Sequence, residues 1–159
     1  MFKLSFDICE QEGFDAHAIN AAHMLAIVAG TIDEKINWNK LALNKALNSI
    51  NVDAKKWLAP LNNNLGQNFI EAQRYAEALT AFESALKYFE ESAMTINVIF
   101  GKWQIAKTMR LLERFEDAMQ LQISLVNEFK SLAASTLSSE MYKLLLGGVY
   151  EELALLHQN

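Results

Sequence analysis

The sequence predicts an all-α chain of antiparallel helix pairs, and three observations predict it. Breakers are scarce, with six Gly and one Pro in 159 residues, which leaves little room for long loops or many turns. Apolar residues recur at helical spacing, as in Phe14, Ala18, Ala21, Ala22, Leu25 and Ala26. Finally, the stretch from Leu65 to Leu86 interlocks large and small apolar residues across two short helices, and parts of it recur 40 residues later.

The elements follow in order. Phe2 to Glu12 reads as a short helix ended near Gly13, and Phe14 to Ala29 as a second that stops at Gly30. Thr31-Ile32-Asp33-Glu34 spells a capping box, in which the Thr hydroxyl accepts from one free amide while Glu34 reaches back to another. The helix it opens runs to about Ser49, with Trp38, Leu41, Ala42 and Ala46 apolar. Asn51 and Asp53 cap a further start. Pro60 has no amide proton and suits a first turn, so this helix begins either near Ala59 or at Ala54 with a bend at Pro60. The cap at Asp53 and the shared face of Trp57 and Leu61 favour the bend. Further helices are expected over Arg74–Glu91, Thr95–Leu112, Arg114–Ala133 and Ser138–His157.

Phe115-x-x-Ala118 repeats Tyr75-x-x-Ala78, and Ile105-Ala106-x-x-Met109 repeats Leu65-Gly66-x-x-Phe69, both at 40 residues. In the second copy Gln122 stands for Phe82 and Leu125 for Ala85. A third start appears at Leu146-Gly147-x-x-Tyr150, and Ala42-Leu43 matches Ala85-Leu86 upstream. The pattern resembles the tetratricopeptide repeat, L-G-x-x-Y followed by A-x-x-x-F, although the period exceeds the usual 34. The resemblance implies a right-handed superhelix of antiparallel helix pairs, an α-solenoid of about seven helices. It would be one domain over residues 1–159, with repeats near 14–50, 54–91 and 95–133 and a partial one at 138–157. Both ends look cut. Phe2, Leu4, Phe6 and Ile8, and Leu144, Leu145, Leu146, Leu153, Leu155 and Leu156, are poor caps for a solenoid. The chain is therefore expected to be a fragment of a longer solenoid, or to form a homo-oligomer through these ends.

Composition excludes several function classes. Hydrophobic residues make up 52% and charged residues 21%, which argues for a globular chain. Net charge is −5 and no block of Lys or Arg occurs, so no nucleic-acid partner is expected. No apolar run approaches the ~20 residues of a bilayer span, and the N-terminus has no signal-peptide pattern. No membrane partner is expected, and the chain reads as cytoplasmic. Cys9 is the single cysteine and reads as an inert thiol.

No catalytic motif is present, so the chain reads as a non-enzyme with no cofactor and no metal. His17 and His23 diverge by about 240° around a helix and cannot share a metal. Glu90-Glu91, Glu116-Asp117 and Glu151-Glu152 are adjacent pairs that read as solvated faces. Trp38 and Trp57 read as core.

Asn62-Asn63-Asn64 is the best site signal. Asn is a mediocre helix former, and its amide both donates and accepts, matching the N–H and C=O of an extended peptide backbone. The Asn-Asn-Leu-Gly string resembles strings in kinesin-light-chain-type repeats. That resemblance implies a peptide-binding strip of Asn63, Asn64, Gln67 and Asn68, continued by Trp103, Gln104, Lys107 and Arg110 and preceded by Asn20. The plainer alternative is that these asparagines cap a helix broken at Pro60, or face water. The family's chaperone-binding clamp of Lys, Asn, Asn, Lys and Arg would fall on Asn63, Gln67, Gln104, Met141 and Leu145. All five depart from it, so chaperone C-termini are not the expected ligand. Lys107 and Arg110, with Arg114, offer charge to an acidic side chain of a ligand. The resemblance implies a protein-interaction module that binds an extended peptide segment. The alternative is a peptide-sensing regulatory domain of a bacterial signalling or transcription regulator.

Overall fold

The computed structural model describes residues 1–132 and 139–157; the expected helix boundaries at Ala133 and Ser138 lie outside them. The helices, in order, are α1 (Phe2–Gln11), α2 (Asp15–Val28), α3 (Ile32–Asn48), the single turn α4 (Val52–Lys55), α5 (Leu58–Glu71), α6 (Tyr75–Glu91), α7 (Thr95–Leu111), α8 (Phe115–Leu132) and α9 (Ser139–Leu156). Among the described residues there is no strand, and eight helices exceed one turn, against about seven expected. The chain forms two compact units, Met1–Ser92 and Ala93–Asn159.

In the first unit α1 packs on α2, α2 on α3, α3 on α5 and α5 on α6, while α4 touches α2 and α3. Its core joins Phe6, Ile19, Leu58 and Leu61 to a set of alanines, Ala18, Ala22, Ala42 and Ala46, that let the helices approach closely. Trp38 and Trp57 are half-buried against this core rather than inside it. The capping box forms: the Thr31 hydroxyl accepts from the Glu34 amide, and Glu34 accepts from the Thr31 amide at 3.1 Å. Asn51 accepts from the Asp53 amide at 2.8 Å and caps α4.

Pro60 does not sit at a bend within a helix begun at Ala54. The chain turns at Lys56 and Trp57, and α5 starts anew at Leu58, so Pro60 occupies the first turn, where no amide proton is needed. A proline ring deeper in a helix would strike the preceding turn, which is why the break comes before it.

One turn recurs. Gly13, Gln73 and Glu113 all adopt the left-handed conformation, at φ 71°, 57° and 60°. In each case the next amide donates five residues back: Phe14 to Cys9 at 2.8 Å, Arg74 to Phe69 at 2.8 Å and Arg114 to Met109 at 2.9 Å. This is the Schellman closure of a helix end. The Gln73 and Glu113 turns stand 40 residues apart, the spacing of the sequence repeat. Five repeat-equivalent pairs are buried alike, Leu65 with Ile105, Gly66 with Ala106, Ala78 with Ala118, Phe82 with Gln122, and Ala85 with Leu125, whereas Phe69 is buried and its counterpart Met109 only half-buried.

The α5–α6 crossing turns on Gly66. A Cβ placed there would lie 2.6 Å from Cδ1 and 2.7 Å from Cζ of the Phe82 ring. The ring occupies the volume that any other residue would fill. In the second unit α7 packs on α8, and α9 packs on both. There Ala106 has the Cβ that Gly66 lacks, and Gln122 replaces the ring. The swap is sterically complementary but electrostatically poor: Gln122 is fully buried, and neither Nε2 nor Oε1 has a hydrogen-bond partner. The glycine that packs in α9 is Gly148, not the expected Gly147. A Cβ on Gly148 would stand 3.2 Å from Trp103, whereas Gly147 faces open space.

Two stability predictions follow from this packing. Gly66→Leu overpacks the crossing and destabilises the first unit by at least ~1–3 kcal/mol, read as a lower urea midpoint; an unchanged midpoint contradicts the crossing. Gln122→Leu, similar in volume and without an amide to satisfy, stabilises the second unit by about 1–3 kcal/mol. A loss of stability in that variant would show that the amide is satisfied in solution.

Candidate functional site

Three helices of the first unit project side chains into one recess of about 350 Å³. From α2 come His23, Ala26 and Ile27, from α3 Lys35 and Asn39, and from α5 Asn64, Gln67 and Asn68. On each helix these positions are three or four residues apart, which places them on one face. The recess thus gathers four side-chain amides, one imidazole and one ammonium.

The amides bond to one another and to the imidazole. Asn39 Nδ2 donates to Asn68 Oδ1 at 2.8 Å, joining α3 to α5. Asn64 Nδ2 lies 3.4 Å from His23 Nδ1, joining α5 to α2. Lys35 Nζ reaches both carboxylate oxygens of Glu71, at 3.1 and 3.2 Å, so its charge is offset from the same side. Asn39 is 3% exposed, and its Oδ1 has no hydrogen-bond partner. Gln67 is exposed at the rim.

His23 is half-buried, its ring centroid 5.4 Å from that of Trp57. Burial moves its pKa below the ordinary imidazole range, and the hydrogen bond that the charged ring would make to the Asn39 side chain opposes that shift in part. The imidazole is therefore neutral near neutral pH. With Asn64 Nδ2 as donor, His23 Nδ1 accepts and the proton resides on Nε2.

The expected strip divides between the units. Asn63, Asn64, Gln67 and Asn68 lie on α5, and Trp103, Gln104, Lys107 and Arg110 on α7. Of the first four, Asn64, Gln67 and Asn68 line the recess; Asn63 does not, and its buried Oδ1 has no partner. Asn62 is structural, its Nδ2 donating to the Leu58 carbonyl at 2.7 Å. Asn20 is exposed on α2.

On α7 the side chains are engaged within the second unit. Trp103 packs on Gly148 and Phe100, its Nε1 is buried without a partner, and Lys107 Nζ stands 5.6 Å from its ring centroid. Gln104 is buried. Arg110 makes a two-pronged ion pair with Glu152 at 2.6 and 3.3 Å, and Arg114 pairs with Asp117 at 2.8 Å. Glu152 is thus not on a solvated face: it is buried against Arg110, because α9 docks on α7. The side chains of Met141 and Leu145 lie outside those described.

Sequence reasoning missed Lys35 and Asn39 and set His23 aside. A signal for Asn39 exists. Ile36, Ala42 and Ala46 share its buried face of α3, so Asn39 is a polar break in an apolar line. His23 carries no such mark, since its role depends on α5 arriving opposite it.

Among the described residues no group of three or more His, Cys, Asp or Glu could hold a metal ion, and no helix is long and apolar enough to cross a membrane. The sequence matches no family model and no curated protein.

The lowered His23 pKa sets a pH dependence. Below about pH 6.5 the unfolded chain binds a proton that the folded chain resists. Stability is therefore full above the unfolded-state pKa and is lost as pH falls toward the lower folded-state value. Between about pH 7.5 and 5.5 the thermal midpoint should fall further in the natural chain than in His23→Gln. Parallel falls in the two proteins would contradict the assigned burial.

Proposed function

We propose that the chain is a tetratricopeptide-like interaction module, and that the recess among α2, α3 and α5 holds the backbone of an extended peptide segment of another polypeptide. The observation that carries this reading is the convergence of four amides from two helices on one open recess. A peptide in extended conformation presents alternating N–H and C=O groups. Carboxamides answer both, because each donates through nitrogen and accepts through oxygen. The near-neutral lining suits a backbone, which carries no net charge, better than a phosphate or a metal ion.

The repeat-like crossing at Gly66 and Phe82 supports the same reading, because it turns the amide face of α5 away from α6 and toward α2 and α3. Ile27, exposed at the rim, adds an apolar contact for a ligand side chain. The binding chemistry is thus hydrogen bonding to the main chain with modest apolar support.

Asn64→Ala combined with Gln67→Ala tests the reading. Both residues lie at the half-buried and exposed margin of the recess, so the variant should keep its helical circular dichroism and melt within a few degrees of the natural chain. It should lose partners captured from a native lysate by the immobilised natural chain and identified by mass spectrometry. Retention of the same partners by the folded variant would remove the recess from the binding site.

A further inference from the structure

We infer that the floor of the recess selects a carboxamide side chain of the bound peptide, that of Asn or Gln, through Asn39. The inference rests on the peptide-binding reading above and adds which ligand group enters.

The recess has a rim and a floor. Gln67 is exposed and Asn64 half-buried, so a main chain resting on them stays at the mouth. Asn39 is 97% covered by its neighbours, being 3% exposed, yet it lines the recess. Its Nδ2 is committed to Asn68 Oδ1, and its Oδ1 is buried with no partner while the His23 ring, whose charged form would engage the Asn39 side chain, is held neutral by burial. A buried acceptor without a donor carries the full cost of its lost hydration. The floor therefore calls for an N–H or O–H group, delivered by something that reaches deeper than a backbone.

The surroundings narrow the donor. A Lys or Arg side chain would bring its charge beside Lys35 and into a place where burial already disfavours charge on His23. A carboxylate would set its lone pairs against those of Asn39 Oδ1. A Ser hydroxyl is short for a recess of about 350 Å³. A carboxamide fits on each count. Its NH2 donates to Asn39 Oδ1, and its oxygen accepts from Asn68 Nδ2, whose own oxygen is already engaged. Its methylene stem lies along Ala26 and Ile27.

The test uses four acetylated heptapeptides of the form Gly-Ser-Ala-Xaa-Ala-Ser-Gly, with Xaa as Gln, Glu, Lys or Met. Each is titrated into the full 15N-labelled chain while the side-chain amide signals of Asn39, Asn64, Gln67 and Asn68 are followed. The Gln peptide should bind at least about tenfold more tightly than the other three, the cost of leaving one buried polar group unpaired. It should be the peptide that moves the Asn39 signal most. In Asn39→Leu the Gln peptide should lose its advantage over the Met peptide, while both still shift Asn64 and Gln67. If that variant fails to fold, the ranking of the four peptides on the natural chain decides alone. Equal binding of all four at Asn64 and Gln67 would overturn the carboxamide preference and leave the backbone-binding reading standing. Absence of any shift at all four amides would overturn both.

Discussion

The close crossing of α5 over α6 at Gly66 is the constraint on which the rest of the first unit depends. The Phe82 ring fills the volume that a Cβ at residue 66 would need, so the two helices approach as near as their backbones allow. That approach buries Leu65, Phe69, Ala78 and Ala85 between them. It also fixes the rotation of α5 about its own axis. With Gly66 held against α6, the residues on either side of it in the helical net, Asn64, Gln67 and Asn68, are carried round to α2 and α3. The small residue is structural, and the amides beside it are what the structure delivers.

The second unit meets the same geometric demand with a different pair. Ala106 adds the methyl group that Gly66 lacks, and Gln122 gives up the ring. Volume is conserved across the crossing, but an amide enters a dry place without partners. Helix-end turns at Gln73 and Glu113 share one hydrogen-bond pattern and one left-handed residue, although neither position holds glycine. A left-handed conformation at a non-glycine residue costs about 1–2 kcal/mol, and the turn's backbone hydrogen bonds are made in spite of it. Repetition here is thus conserved backbone geometry carried by varied side chains.

Much of the fold was legible in the sequence because its signals are local. The Thr31–Glu34 capping box, the Gly13 stop and the 40-residue echo of Leu65–Gly66–Phe69 each lie within a few residues of chain or at a fixed spacing. The helix start at Leu58 was harder, because Asp53 offers a competing cap and the resistance of Pro60 to a continuous helix settles the matter. Residues of the recess were legible where they cluster on one helix, as Asn64, Gln67 and Asn68 do on α5. Asn39 and His23 were not, because their partners come from helices distant in sequence. Asn39 meets Asn68 across 29 positions and His23 meets Asn64 across 41. Glu152 was misread for the same reason, its partner Arg110 lying 42 positions away. Pairwise helix docking decides these contacts, and no local pattern encodes it.

The central claim is that binding occurs at the amide recess, on the face of α5 turned away from α6. Photo-crosslinking locates binding most directly: para-benzoylphenylalanine at position 67, on the rim of the recess, is compared with the same group at position 84 on α6. The chain carrying either probe is irradiated in its native lysate and the crosslinked segments are sequenced. The account predicts that position 67 captures a recurrent short segment, suppressed by Asn64→Ala, and that position 84 does not capture that segment. Capture of one segment at position 84 with none at position 67 would contradict it.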